Sequence, residues 1–166
     1  MIKILINKER LIYDDYEFKC VIGKNGRVKK KKEGDKKTPV GTFSLGNLFY
    51  RYDRKNKPET KLKCTKILKN MGWCDDPRSK RLYNKLIKIN KKTKVSYEKL
   101  FRNNSIYDYL IPINYNTKER KPGKGSAIFL HITKNFKKTQ GCVALQHNDF
   151  LILAKIIDKN TKIKIL

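Results

Sequence analysis

Short stretches of this chain alternate apolar and polar residues, the period-two signature of a half-buried β-strand. Residues 2–6 read IKILI, and residues 11–23 (LIYDDYEFKCVIG) read as strand, Asp-Asp turn, strand. The alternation then stops. GKNGRVKKKKEGDKKTPVG is punctuated by Gly23, Gly26, Gly34, Pro39 and Gly41 and predicts a loop with a solvated KKKK run. A strand is expected over residues 42–45. Residues 51–95 follow neither the strand nor the helix period and predict a long irregular insertion, of the kind that often serves as a functional segment or lid. Ser96 stands where it can cap a short helix over YEKLF. Residues 106–115 (IYDYLIPINY) alternate again, and Pro112, lacking an N–H, points to a sheet edge or a bulge.

Residues 126–132 (SAIFLHI) form the most apolar run and predict a central strand. Its alternation sends Ile128, Leu130 and Ile132 to one face and Ala127, Phe129 and His131 to the other. Residues 149–158 (DFLILAKIID) are the best helix candidate, with Asn148 placed to cap it and Asp149 suited to its positive end. TKIKIL closes the chain as a strand. The expectation is a mainly β fold with one or two short helices and a long insertion. Its 166 residues suit a single domain spanning 1–166, without internal repeat or clean linker.

Composition changes this picture in one respect. Forty-one Lys and Arg against 15 Asp and Glu leave a formal charge of +26, which attracts polyanions: nucleic acid, an anionic membrane surface or a carboxylate-rich wall polymer. The basic residues are dispersed and mostly Lys, whereas groove readers favour the bidentate Arg. No specific nucleic-acid partner is therefore expected, and an acidic target gains from the charge. No run approaches the ~20 apolar residues of a membrane span. The apolar start of MIKILINKERLIYDD is ended by Glu9 and Arg10 too early for a signal peptide. Four cysteines (Cys20, Cys64, Cys74, Cys142) without a CxxC argue against a zinc ribbon and against a disulfide framework.

The candidate chemistry lies in HITKNFKKTQGCVAL, residues 131–145. His131 faces away from the Ile128, Leu130 and Ile132 stripe, and the following loop is long enough to fold back and set Cys142 beside it. An imidazole can take a thiol's proton. Gly141 can adopt a positive φ and expose backbone N–H groups to an oxyanion. His147 is a rival base, placed just before the helix. A bystander reading stands beside this one: a buried thiol near a surface histidine. Trp73 reads either as an anchor for the long insertion, with Asp75 and Asp76 bonding turn N–H groups, or as a wall of a substrate cleft. A metal site from Cys74, Asp75 and Asp76 is poorly spaced.

Several blocks in order carry a more specific signal. His131 at a strand end, then Thr139, Gly141 and Cys142, fit a histidine followed by Ser/Thr-x-Gly-Cys. EGDKKTPVGTF (33–43) fits Asp-x-x-Thr-Pro-x-Gly, and GWCDDP (72–77), GKGSAIFLH and GCVAL complete the set. In these the chain resembles the YkuD-domain L,D-transpeptidase family, in its short-form branch. The resemblance implies a YkuD-like β-sandwich or sheet core and a cysteine transpeptidase acting on peptidoglycan stem peptides or muropeptides. Cys142 is then the nucleophile that attacks the bond between an L-centred residue and D-alanine and forms a thioester, and His131 is the general base and acid. The Ile132 carbonyl orients the imidazole, and the N–H groups of Gln140, Gly141 and Cys142 form the oxyanion hole. Thr139, Phe129 and Trp73 are candidates for substrate binding, and no metal or organic cofactor is required.

The chain departs from the family where many members carry His (here Gln140) and Arg or Asn (here Ala144). Lys and Arg of the 51–95 segment are the expected substitutes for a carboxylate contact. The family implies the cell envelope or periplasm, and the unreadable export signal leaves the cytoplasm open. Two other readings stand: a peptidoglycan hydrolase or amidase using the same Cys–His pair, and a basic nucleic-acid-binding protein.

Overall fold

A computed structural model of the chain describes residues 3–7 and 9–166. The first expected strand appears as β1 (Lys3–Asn7), and Ile2 lies outside the described residues. The expected hairpin follows as β2 (Arg10–Tyr13) and β3 (Tyr16–Val21). Asp14 turns at φ 53°, a left-handed conformation that Asp tolerates. The lysine-rich loop holds only the two-residue strands β4 (Arg27–Val28) and β5 (Thr38–Pro39), and β6 (Gly41–Ser44) begins next to the expected position.

The 51–95 segment is more ordered than its sequence suggests. After β7 (Leu48–Tyr50) come β8 (Cys64–Lys66), β9 (Met71–Cys74) and β10 (Leu86–Lys88). YEKLF is not a helix but contains β11 (Tyr97–Lys99), antiparallel to β9 with Glu98 opposite Trp73. A five-residue stretch is too short to nucleate a helix unaided, and pairing with β9 supplies its backbone with partners while Leu100 becomes fully buried. The strands β10, β9 and β11 form a small sheet of their own. With three or four residues each, they are too short to display a period.

The chain ends with β12 (Tyr109–Pro112), β13 (Phe129–Thr133), β14 (Val143–Gln146), α1 (His147–Ile156) and β15 (Lys162–Ile165). The ten-stranded main sheet runs β6-β15-β1-β2-β3-β14-β13-β12-β7-β8. It curls back on itself: Gly46 N donates to Pro112 O at 2.8 Å, and Asn114 N to Ser44 O at 2.9 Å. Pro112 therefore does not mark a sheet edge. It ends β12 just beyond the last residue paired with β7, where no donor is needed. Nor does Asn148 cap the helix. Gln146 is the N-cap, without a side-chain bond, and Asn148 lies within the first turn.

The expected division of β13 into two faces is present. Ile128, Leu130 and Ile132 enter the core enclosed by the curled sheet, with Leu11, Ile111 and Leu145, and α1 packs Phe150 and Leu153 into it. Ala127 and Phe129 enter a second core on the opposite face, with Ile67, Leu100, Tyr107 and Cys142. The small sheet covers this second face, so the side of β13 that carries His131 is roofed by the insertion.

Candidate active site

Strand register places the histidine and the cysteine. β13 and β14 are parallel neighbours, with Leu130 opposite Val143 and His131 opposite Ala144. Extending that register sets Cys142 level with Phe129, so its side chain shares a face with His131, one pair along. Such diagonal neighbours are about 7–8 Å apart, within reach of a short movement. Both line a cavity of about 600 Å³, and both are nearly buried, at 5% and 7% exposure for His131 and Cys142.

The imidazole is held on two sides. Nδ1 lies 2.8 Å from the Ile132 carbonyl oxygen. A carbonyl only accepts, so Nδ1 carries the proton and the ring's lone pair stands on Nε2. The Tyr107 ring meets the imidazole edge-on, with centroids 5.3 Å apart. Tyr107 in turn donates its hydroxyl to Glu98, which pairs with Arg102 at 2.9 Å, and the Arg102 guanidinium lies 4.5 Å from the centroid of the Tyr107 ring. Glu98, Arg102 and Tyr107 all line the cavity.

The thiol is held more weakly. Sγ accepts the Phe129 N–H at 3.3 Å and donates to the Ala127 carbonyl at 3.4 Å. Ala127 sits at φ 52°, which costs an L-residue about 1 kcal/mol or more. The Asn84 side chain holds it there, accepting its N–H at 3.1 Å. Asn84 also accepts Trp73 Nε1–H at 2.8 Å and donates to the carbonyls of Tyr115 and Asn116 at 2.9 Å each. One buried amide thus ties the insertion to the strand beneath the thiol.

The loop before Cys142 is braced internally. Thr139 Oγ1 donates to the Cys142 carbonyl at 2.6 Å and accepts the Gly141 N–H at 3.1 Å. Thr38, from the TPVG segment, donates to the Gly141 carbonyl at 2.8 Å and accepts the Gly23 N–H at the same distance. Gly141 has φ 136°, and a Cβ there would sit 2.9 Å from the Lys37 carbonyl, so only glycine fits. The N–H of Gly141 is thus already engaged. Those of Gln140 and Cys142 make no hydrogen bond among the described residues.

Burial pushes the Cys142 thiol up to about 12, with the Glu98 carboxylate adding to the effect and the Phe129 N–H, Lys31 and Arg102 opposing it. Burial also lowers His131 to about 4; the Ile132 and Ile106 carbonyls oppose this and the Arg102 charge reinforces it. The resting pair is therefore neutral thiol and neutral imidazole across the physiological range. A stability consequence follows from the histidine. Its folded value lies below the ordinary ~6.5, so between about 6.5 and 4 the unfolded chain binds more protons than the folded one. The contribution of the neutral buried ring is complete above pH 6.5 and is lost as pH falls toward 4. The unfolding free energy of the wild type from denaturant titration should fall through this window, by an amount on the order of a few kcal/mol. The fall should be smaller in His131→Gln.

The remaining candidates are placed as follows. Thr139 lines the cavity, but its hydroxyl is spent on the loop. Phe129 is fully buried and edge-on to both Trp73 (5.2 Å) and Tyr107 (5.7 Å), and neither Phe129 nor Trp73 lines the cavity. They lie behind the site rather than in it. Trp73 has the contacts of an anchor for the insertion, while Asp76 accepts the N–H groups of Arg78 and Ser96 at 3.0 and 3.1 Å. His147 lines a separate groove, stacked on Tyr109 at 5.6 Å, away from Cys142. The substitute cations do not come from residues 51–95. Lys31, Lys36, Arg102, Lys137 and Lys138 line the cavity, and the insertion contributes Asp75. One lysine of the KKKK run, Lys31, is buried rather than solvated. Sequence reading passed over Glu98, Arg102 and Tyr107: Glu98 falls in a stretch read as helix, Tyr107 in the start of a strand, and Arg102 between the two. No local pattern marks them as neighbours of residues 131 and 142.

Residues 2–165 match the family model described as L,D-transpeptidase catalytic domain (YkuD). No curated protein sequence matches the chain. Among solved structures, the chain is similar to the helical cell shape determining protein Pgp2 from Campylobacter jejuni, at 23% identity and a TM-score of 0.54 over 98% of this chain and 46% of that one. It is also similar to Bd1075 from Bdellovibrio bacteriovorus, at 17% identity and a TM-score of 0.50 over 99% of this chain and 47% of that one. At these identities the likeness is one of fold. The chain spans less than half the length of either protein.

Proposed function

The chain belongs to the YkuD family of L,D-transpeptidase catalytic domains, and on that premise we propose that it is a cysteine acyltransferase acting on peptidoglycan stem peptides through a thioester on Cys142. The observation that carries this reading is the placement of Cys142 and His131 on one face of adjacent parallel strands, in one cavity, with Nδ1 held by the Ile132 carbonyl.

With a stem peptide bound, Sγ attacks the carbonyl carbon of the L-centred residue that precedes D-alanine. The thiol proton passes to His131 Nε2 as the C–S bond forms, so the thiolate need not accumulate beforehand. The negative charge moves to the former carbonyl oxygen, and the free N–H groups of Gln140 and Cys142 are the donors available to it. In this reading Gly141 contributes the turn, since Thr139 engages its N–H. The tetrahedral intermediate collapses as the C–N bond breaks, and His131 returns its proton to the leaving D-alanine amine. An amine from a second stem then attacks the thioester, again losing its proton to His131, and the product leaves with the thiol restored. Water in place of the amine gives hydrolysis by the same residues. Arg102 faces this space and suits a free carboxylate of a stem peptide.

The test is intact-protein mass after incubation with a disaccharide-tetrapeptide. A gain equal to the acyl portion without D-alanine is expected, with the label on the peptide containing Cys142. Product analysis then separates transfer from hydrolysis. A folded, reduced protein that shows neither adduct nor product overturns the proposal and returns weight to a binding role for the +26 charge.

A further inference from the structure

Lys31 is an unusual lysine for so basic a chain. Its side chain is 3% exposed, whereas the other three of the KKKK run face solvent. Burying an ammonium costs several kcal/mol unless it is well paired, and such a pair seldom repays the cost in stability alone. Lys31 is paired with Asp35, whose carboxylate also accepts the N–H groups of Lys32 and Lys37 at 2.9 Å each. Burial raises the Asp35 acid, but those three donors outweigh it and hold it below the ordinary carboxylate range.

The pair has a direction. Lys31 lines the cavity of Cys142 and His131, and Asp35 does not. The lysine stem crosses Gly125 so closely that a Cβ there would sit 2.8–2.9 Å from Cγ, Cδ and Cε, and Gly125 has φ 99°. At its far end, Nζ lies 3.5 Å from the point a Gly141 Cβ would occupy, one residue before the nucleophile. The GKGS segment thus leaves a channel through which a loop lysine reaches the thiol's own turn.

We propose that Lys31 supplies a buried, fixed positive charge to the site, stabilising the negative charge that develops on Cys142 and on the acyl oxygen. Beside it the site offers the N–H groups of Gln140 and Cys142 and, among its other cations, Arg102, while Thr139 has taken the Gly141 donor; Lys31 and Cys142 are both buried. A fixed cation has most effect in such a place, where its field is least screened. The proton that moves is the thiol's, to His131 Nε2; Lys31 acts through its charge. The proposal rests on Cys142 being the nucleophile, and it concerns the thiol's reactivity rather than the identity of the substrate.

The test is the rate of iodoacetamide alkylation of Cys142 across pH, read by peptide mass, in the wild type, Lys31→Met and Asp35→Asn. Methionine keeps much of the stem over Gly125 and removes the charge; asparagine keeps the lysine and removes its counter-ion. Alkylation at a given pH should slow about tenfold in Lys31→Met, because losing a nearby cation raises a thiol by about one unit. It should quicken in Asp35→Asn. A purely structural role predicts the reverse for the first variant, since a loosened loop exposes the thiol and speeds both. Lys31→Met reacting at or above the wild-type rate, or Asp35→Asn at or below it, overturns the proposal. Because the probe needs no peptidoglycan, failure here is distinct from failure of the substrate assignment. With a stem-peptide substrate, kcat should fall about 10²-fold at little change in KM. A rise in KM at unchanged kcat would make Lys31 a ground-state carboxylate anchor and overturn the charge-stabilising role.

Discussion

Cys142→Ala is expected to abolish turnover of stem peptides, by at least about 10⁴-fold, while leaving the fold intact. No second thiol is at hand, since the other three, Cys20, Cys64 and Cys74, lie outside the cavity lining. The structural cost should be small. Sγ makes only two long contacts, to the Phe129 N–H and the Ala127 carbonyl, and Ala keeps the backbone on which Thr139 closes the turn. Losing one weak acceptor for a buried N–H costs about 1 kcal/mol, or roughly 2–4 °C in Tm for a chain of this size. Activity and thermal unfolding measured together decide the matter. Retained turnover in a folded Cys142→Ala protein would remove Cys142 from the mechanism.

The largest stability effect is expected at Asn84. Its side chain is 3% exposed and uses its full hydrogen-bonding capacity, two bonds accepted and two donated. Asn84→Ala would leave the Trp73 indole N–H, the Ala127 N–H and two carbonyls without that partner. Each buried orphan costs about 1–3 kcal/mol, and Asn84 also sits at φ 55°, where alanine is less tolerated than asparagine. A loss of at least about 3 kcal/mol in denaturant unfolding is expected, near 6–12 °C in Tm. Activity should fall as well, because Ala127 is both the residue that Asn84 holds and the acceptor of the thiol. A change below about 1 kcal/mol would show that the insertion is anchored by the Trp73–Phe129 contact and its own sheet, without this amide.

These two residues differ in how they show themselves in the sequence. Cys142 stands in a motif, after a strand whose alternation already separates Ile128, Leu130 and Ile132 from Phe129 and His131. Period two belongs to any strand with one face buried, so the two faces of β13, the β2–β3 hairpin and the closing strand could be read locally. Asn84 stands in a stretch without period. Its importance comes from four partners between 11 and 43 residues away in sequence, none of which carries a local sign of the others.

The same limit explains the misreadings. YEKLF has helix-compatible residues and a capping serine, yet it is a strand because β9 offers it backbone partners and five residues cannot hold a helix alone. Pro112 looks like an edge residue, but the sheet closes past it through Ser44 and Asn114. KKKK looks uniformly solvated; burial of Lys31 depends on Asp35 and on the space above Gly125.

The sequence by itself determined the mainly β class and the faces of the central strand, because each is written in spacing along a few neighbouring positions, and it offered the candidate pair His131 and Cys142 through the resemblance of their motif. Tertiary structure alone decided the electrical environment of that pair: Lys31 from the loop, Glu98, Arg102 and Tyr107 from beyond the insertion, and Asn84 within it. Charge and hydrogen bonding act through distances of a few ångströms. Sheet order, not chain order, sets those distances.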